Sequence, residues 1–412
     1  MNNILGNKSV LEVLFGNNIE LLPGVNELFE LEIAYLEYNN LPKEHLLERT
    51  AYIKSINNEY SKHYLLCSND IVKVHFDRSS ITQTYFEEGQ YSTGYATHGL
   101  FPYRGKFHPQ LIRGLINILN IKKGEIILDP MAGSGTTNIE AAIMGLDSIA
   151  IDVSPFCQFM IKTKYEALTI DLKLLEKTKI DSRKLFYFFK QGDVLNRINN
   201  IEDVNKIKIY NLAFLAFLDA LGYSKRVVKS NHEQLFEKVL TRYLRTVQLF
   251  LTNKNFDQNK IGKLDILKDS DALNINLDKN SIDCVITSPP YSFAIDYVEN
   301  DKEQLEFLGH NVQELKTKMI GLKGGTKKEK LENYFLDMDL FCLQVSEILK
   351  KGKYFLMIIG SNTNQTGGIR LEEKIIKSSE KHGMSLLKSI LKPIKGIRNT
   401  MKNEYILIFQ KQ

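Results

Sequence analysis

The chain has 412 residues, 43% of them hydrophobic and 25% charged, with 25 Gly and 9 Pro. These proportions exclude collagen-like and wholly disordered chains, and at about 150 residues per domain they predict two or three domains, or one large domain with insertions. Lys and Arg total 54 against 49 Asp and Glu, a net +5, which permits a polyanionic partner without demanding one.

Residues 1–97 read as a mostly helical N-terminal region, as in VNELFELEIAYLEYNN, where apolar positions recur every three to four residues. The first residues lack the basic start of a signal peptide. At His98 the character changes. HGLFPYRGKFHPQ is an aromatic, Gly/Pro-containing loop running into a helix, with Pro109 near its start.

Glu125–Leu128 then reads as a short strand, DPMAGSGTT as a loop, Asn138–Met144 as a helix and Ser148–Ile151 as a second strand. Strand, glycine turn, helix, strand is a βαβ unit and implies a parallel sheet. Leu172 to Asn259 turns helical. It is too long for a connecting loop, so residues 172–259 are expected to form an inserted helical subdomain.

The α/β pattern resumes with strands Lys263–Ile266 and Ile282–Ile286, the loop TSPPYSFAIDY, a helix Leu331–Leu349 and a strand Tyr354–Ile359. Two closing strands are expected around Ser385–Leu391 and Glu404–Phe409. Just before the helix Leu331–Leu349, Gly324–Gly325 among Lys316, Lys318, Lys323, Lys327, Lys328 and Lys330 predicts a mobile basic loop. Residues 98–171 and 260–412 thus form one α/β domain around the insertion.

Cys67, Cys157, Cys284 and Cys342 are scattered, which predicts neither disulfides nor zinc and suits a reducing compartment. The most apolar stretch, Tyr210 to Gly222, is shorter than the roughly 20 residues a bilayer needs, so a soluble cytoplasmic protein is expected. His98 and His108 lack metal-ligand spacing, so no metal is expected.

Two loops carry chemistry. Gly133 and Gly135 permit a tight turn and a close ligand approach after a strand. Asn138 stands where a dinucleotide fingerprint has its third glycine, which counts against pyrophosphate. Asp152, ending the next strand, is spaced to accept hydrogen bonds from ribose hydroxyls; the alternative is a plain turn with Asp152 as a helix cap. The second loop is Thr287-Ser288-Pro289-Pro290-Tyr291 at a strand's carboxyl end, where open α/β sheets bind ligands. Tyr291 offers a face for stacking a base; the alternative is a rigid surface turn.

Together DPMAGSGTT, Asp152 and TSPPY resemble the S-adenosylmethionine-dependent DNA amino-methyltransferases, which modify cytosine N4 or adenine N6. The resemblance covers about Thr97–Lys164 and Lys263–Gln412. It implies a Rossmann-like class I methyltransferase sheet with helices on both faces, double-stranded DNA with base flipping as substrate, and a cognate restriction endonuclease as a possible partner. Ser288 before the prolines resembles the cytosine-N4 group, although the glycine loop precedes SPPY here, unlike many N4 enzymes. By the resemblance Ser288, Pro289, Pro290 and Tyr291 are catalytic: the Ser288 hydroxyl and Pro289 carbonyl accept from the target amine and Tyr291 stacks on the flipped base, so Tyr291→Phe is expected to be mild.

By the resemblance Asp129, Gly133 and Gly135 would hold the methionine end of the cofactor, with Pro130, Ser134 and Thr136 also cofactor-binding, Asp152 the ribose and Asp265 the adenine; the alternative for Asp265 is a simple turn residue. Phe101, Tyr103, Lys106, Phe107 and His108 match the family's upstream cofactor segment; the alternative is an aromatic loop packing on the sheet. Asp296 and Tyr297 shape the base pocket or are structural, and Glu404 reads as structural. The basic clusters Lys225–Lys229, Lys316–Lys330 and Lys388–Lys402 are each solvated faces or phosphate contacts. Three alternatives remain: adenine-N6 methylation, RNA guanine-N2 methylation, and a non-catalytic nucleic-acid-binding relative.

Overall fold

Short apolar runs bounded by turn residues build a central sheet. Its strands are β4 (Ile126–Asp129), β5 (Asp147–Ala150), β6 (Leu264–Ile266), β7 (Ile282–Thr287), β8 (Leu349–Gly360), β9 (Met384–Pro393) and β10 (Asn403–Lys411); β1 (Ile19–Leu21), β2 (Ile53–Ile56) and β3 (Glu59–Tyr60) form a separate antiparallel sheet. The structure is a computed structural model and describes residues 9–23, 25, 27–67, 95–103, 105–226, 231–291, 296–360, 366–394 and 403–412.

The central order is β6-β5-β4-β7-β8-β10-β9. Strands β6 through β8 are parallel, and β10 runs antiparallel to both β8 and β9. This is a Rossmann-like, doubly wound sheet closed by an antiparallel end. The chain lays β4, β5 and β6 outward in one direction and then returns to put β7 on the other side of β4. The sheet therefore switches direction between β4 and β7, and the crevice beyond those two carboxyl ends is where such sheets take ligands.

Alternation along each strand divides the core between the two faces. Cys284 and Ile286 face the helix Pro109–Ile118 together with Ile33 and Tyr52 of the N-terminal region. Val285 faces the helix Lys327–Ile348, meeting Phe341 and Val345. The core under one face is thus shared by the N-terminal region and the sheet.

After the helix Pro155–Glu166, five further α-helices, Leu172–Ile180, Ser182–Phe189, Val194–Asn199, Val204–Arg226 and His232–Leu251, precede β6 in the chain. Their aromatic core (Phe186, Phe189, Phe214, Phe217, Phe236) is continuous with Phe156 and Phe159 of the helix Pro155–Glu166. No helix among the described residues is long and apolar enough to cross a membrane.

Among the described residues, two buried polar clusters join the N-terminal part and the upstream loop to helices that cover the sheet. Glu37 accepts from the backbone N–H of Ala51 at 2.8 Å and from Asn117 Nδ2 at 2.6 Å; burial pushes its carboxyl up to about 7. Glu140, on the helix Thr136–Ile143, holds His98 Nε2 at 2.9 Å and Arg113 Nε at 3.0 Å and accepts from the Tyr95 hydroxyl. Burial pushes the Glu140 carboxyl well above its usual value, its three partners satisfy its oxygens, and the cluster anchors the upstream aromatic loop against the glycine-loop helix.

Several expected boundaries shift, for local reasons. The glycine-loop helix starts at Thr136, two residues before the expected Asn138, because Gly135 at φ 77° serves as its N-cap. The long helix starts at Lys327, where Thr326 and Glu329 make a reciprocal capping box. Lys327, Lys328 and Lys330 therefore open a helix, and Lys316 and Lys318 close another, Val312–Lys318, so five of the six lysines expected in a basic loop sit on helices and the loop itself is confined to residues 319–326. The small sheet β1-β2-β3 has strands of four residues or fewer, too short for an alternation signal to stand out among the helices.

Candidate functional site

Beyond the carboxyl ends of β4 and β7 lies a cavity with about 980 Å³ of space, part of it open to solvent. From the glycine loop Pro130, Gly133, Ser134 and Thr136 line it, and from the loop after β5 come Asp152, Ser154 and Cys157. Ser288 and Pro290 come from the loop after β7, and Tyr103, Lys106 and Phe107 from the upstream segment. Residues from four distant stretches of chain thus share one cavity.

The glycine-loop side is held mainly by backbone. Ala132 N–H donates to the Ile151 carbonyl at 3.0 Å, and Gly135 N–H to the Ala132 carbonyl at 2.7 Å. The Asp152 carboxylate accepts from Gly133 N–H at 2.7 Å and Ser154 N–H at 2.8 Å. A carboxylate has about four acceptor sites, so these bonds leave capacity facing the cavity. Burial raises its pKa to about 6 against the pull of those two N–H groups. The helix cap proper is Ser154, whose side chain accepts from Cys157 N–H.

The two glycines do different work. A Cβ on Gly133 (φ 51°) would approach the Tyr103 ring at 3.3 Å, on the cavity side. A Cβ on Gly135 (φ 77°) would strike Ile161 at 2.9 Å, inside the protein. Gly135 does not line the cavity; it permits the turn and the packing of two helices.

Asp129 is buried behind the wall rather than on it. Its Oδ1 accepts from Thr287 Oγ1 at 2.8 Å and Met131 N–H at 3.2 Å, so it ties the glycine loop to the loop carrying Ser288. Burial pushes its carboxyl up to about 7.

On the other side Ser288 and Pro290 face the cavity, and Pro289 is buried. The half-buried Tyr291 packs against the core under the sheet and does not line the cavity; its hydroxyl donates to Glu404 Oε1 at 3.0 Å. Tyr297 takes the aromatic place on the wall. Its ring lies nearly parallel to that of Tyr103, at 13° and 6.2 Å between centroids. Lys106 Nζ donates to the His98 carbonyl at 3.1 Å, and burial lowers its pKa to about 8.

Asp265 does not line the cavity. It is exposed in the edge strand β6, and the turn Asp271–Ala272–Leu273 beyond that strand reaches the wall instead. Asp271 Oδ1 accepts from Leu273 N–H at 2.8 Å and Asn274 N–H at 3.0 Å. The findable signal was an Asp followed by two apolar residues after a strand's carboxyl end. Asp301 and Lys318–Ile320 also line the cavity and carry no local signature. Among the described residues no group of three or more His, Cys, Asp or Glu side chains could hold a metal ion.

The expected basic clusters are largely paired where described. Lys316 contacts Asp296 at 2.9 Å and Glu299 at 2.8 Å, Lys318 contacts Glu314 at 3.0 Å, and Lys323 contacts Asp337 at 2.8 Å. Lys388 meets Glu32 at 2.8 Å and Lys392 meets Glu404 at 2.5 Å. Lys229, residues 292–295 of SFAIDY and residues 395–402 lie outside the described residues.

Residues 100–321 match the family described as RMKL-like, methyltransferase domain, and residues 35–162 match the family described as DNA methylase of the N6/N4 type. The chain is 34% identical over 161 residues to the type II methyltransferase M.MjaII of Methanocaldococcus jannaschii, covering 36% of this chain and 29% of that protein. It is 25% identical over 299 residues to the type II methyltransferase M.BsoBI of Geobacillus stearothermophilus, covering 58% of each. A shorter match, 40% over 53 residues, is to the tRNA (guanine(10)-N2)-dimethyltransferase of Methanothermobacter thermautotrophicus, covering 13% of this chain and 16% of that protein. The chain thus spans less than two thirds of the length of the curated relatives it matches.

Proposed function

This chain belongs to the RMKL-like methyltransferase-domain family and is related to the N6/N4 DNA methylases, and on that premise we propose that it methylates the exocyclic amine of a base flipped out of double-stranded DNA. Cytosine N4 is the amine of choice, with adenine N6 next. The observation that supports this reading is the shared cavity at the switch point, lined by Gly133 and Asp152 on one side and Ser288 on the other.

The cofactor would be S-adenosylmethionine, which when bound supplies an electrophilic methyl group on a sulfonium. The residues present fit it. Gly133 leaves backbone open to a ligand, Asp152 keeps acceptor capacity for ribose hydroxyls, and Tyr103, Phe107 and Ala272–Leu273 offer apolar surface for an adenine. Pro130, Ser134 and Thr136 complete the glycine-loop wall, with Asp129 and Gly135 supporting it from behind. Asp271 takes the place that Asp265 was expected to fill.

The amine of cytosine is a weak nucleophile because its lone pair is delocalised into the ring. Hydrogen bonds from its N–H groups to Ser288 Oγ and the Pro289 carbonyl favour a pyramidal nitrogen and aim the lone pair. This is catalysis by orientation and fixed dipoles. Tyr297, on the wall beside Ser288 and Pro290, gives the flipped base its stacking face. Sequence recognition is assigned to the helical insertion 172–259, the site lies in the domain formed by 98–171 and 260–412, and residues 1–97 brace the sheet. The protein would act in the cytoplasm beside a cognate restriction endonuclease.

The tRNA-enzyme match favours a second reading, RNA guanine-N2 methylation. Incubation with labelled S-adenosylmethionine and either DNA or RNA, then digestion and mass identification of the nucleoside, decides between them. N4-methylcytosine in DNA is expected. Label entering RNA but not DNA would overturn the reading.

A further inference from the structure

The polar chain behind Ser288 crosses from the site to the antiparallel end of the sheet. Ser288 Oγ donates to the Tyr291 hydroxyl at 3.3 Å, Tyr291 donates to Glu404 Oε1 at 3.0 Å, and Glu404 Oε2 accepts from Lys392 Nζ at 2.5 Å. Glu404 and Lys392 stand directly opposite one another across β10 and β9. Tyr291 and Glu404 are 113 residues apart in the chain.

Resting on the reading above, we propose that Glu404 is a positioning residue which, through Tyr291, turns Ser288 into a pure hydrogen-bond acceptor for the target amine. A hydroxyl has one hydrogen and two acceptor lone pairs. If the Ser288 hydrogen were free to rotate, it would spend part of its time aimed at the amine, opposing N–H donors with an O–H donor. An ionised carboxylate accepts and never donates, so Glu404 sets the direction of the whole chain. The Tyr291 hydrogen goes to Glu404, the Ser288 hydrogen goes to Tyr291, and both Ser288 lone pairs are left for the substrate. Lys392 holds the Glu404 charge in place. Burial, with the Glu404 charge beside it, pushes the Tyr291 phenol well above its usual value, so Tyr291 remains a donor to Glu404.

This gives the Tyr291 hydroxyl a task that its ring alone cannot perform. Tyr291→Phe, mild if the residue only stacks, is now expected to be damaging. Glu404→Gln keeps the shape but can present its NH₂ group, which lets the chain reverse.

The test is a double-mutant cycle on single-turnover methyl transfer at saturating S-adenosylmethionine and DNA. Glu404→Gln and Tyr291→Phe are each made in the wild-type and the Ser288→Ala backgrounds. In the wild-type background each should slow transfer about tenfold or more with cofactor affinity unchanged. In the Ser288→Ala background each should cost less than about twofold, because residues that act through one another are not additive. Tyr291→Phe retains the ring in its packed place and leaves the Glu404–Lys392 pair intact, so it serves if Glu404→Gln fails to fold. Equal losses in both backgrounds, or no loss in either, would overturn the proposal while leaving the reading of the site intact. A wild-type rate for Ser288→Ala itself would overturn that reading as well.

Discussion

The two sides of the cavity are held in different ways. On the glycine-loop side, nearly every constraint comes from neighbours in β4 and β5: the Asp152 carboxylate binds backbone N–H groups of Gly133 and Ser154, and Ala132 closes on Ile151. On the SPPY side, Ser288 is governed by side chains from the far end of the sheet, through Tyr291 to Glu404 and Lys392. A wall of backbone bonds is rigid and tolerant of side-chain change away from its glycines. A wall of side-chain bonds can be disarmed by one distant substitution that leaves the fold in place.

Substitution within the glycine loop should give the largest change in stability. Gly135→Leu forces a leucine into φ 77° and drives its Cβ into Ile161. Backbone strain and overpacking together should cost roughly 2–4 kcal/mol in stability. Denaturant unfolding reads this directly. A variant of wild-type stability that merely failed to bind cofactor would mean that Gly135 faces the ligand after all.

Next in size is a pH dependence that belongs to the same side. Burial raises the folded Asp129 carboxyl to about 7 and Asp152 to about 6, from ordinary values of 3.8. Between about pH 4 and 7 the folded state therefore holds more protons than the unfolded chain, and stability falls as pH rises through that window. Glu37, at about 7 in the fold, adds to the same slope, which Glu37→Gln should reduce. Cofactor binding runs the other way. It uses ionised Asp152 and should strengthen as pH rises through about 6. Melting temperatures and calorimetric titrations across that range check both signs; affinity that weakens with rising pH would remove Asp152 from the ribose site.

Much of the glycine-loop side was legible in the sequence because its determinants are local. Gly133, Gly135 and Asp152 encode a turn, a left-handed backbone and an acceptor at a strand end, all within 20 residues or so. The TSPPY loop was equally visible, and the parallel sheet followed from strand, glycine turn, helix and strand. What surrounds Ser288 was not visible. No pattern in TSPPY says that Tyr291 turns toward Glu404, since that contact depends on β10 returning between β8 and β9. Asp265 matches the family position at a strand's end, whereas the acceptor on the wall, Asp271, lies in the turn beyond. Lysine runs read as a basic surface, yet most of their carboxylate partners come from other elements, as Glu299 and Asp337 do from neighbouring helices and Glu404 from β10.

Those partners set the smallest expected effect. Overall DNA affinity should fall steeply between about 50 and 200 mM salt if several phosphates are contacted. Lys316→Glu should barely change that slope, because Lys316 is already engaged by Asp296 and Glu299. A slope flattened by about one unit would place Lys316 on the DNA.

The contrast between the two sides is tested most directly by calorimetric titration of S-adenosylmethionine into the DNA-free protein, comparing Asp152→Asn with Ser288→Ala. A hydrogen bond to a charged group contributes about 1.5–3 kcal/mol, so Asp152→Asn should weaken binding by roughly tenfold to a hundredfold. Ser288→Ala should bind as the wild type does. Equal weakening in both variants, or undiminished affinity in a folded Asp152→Asn protein, would contradict the division of one side for the cofactor and the other for the base.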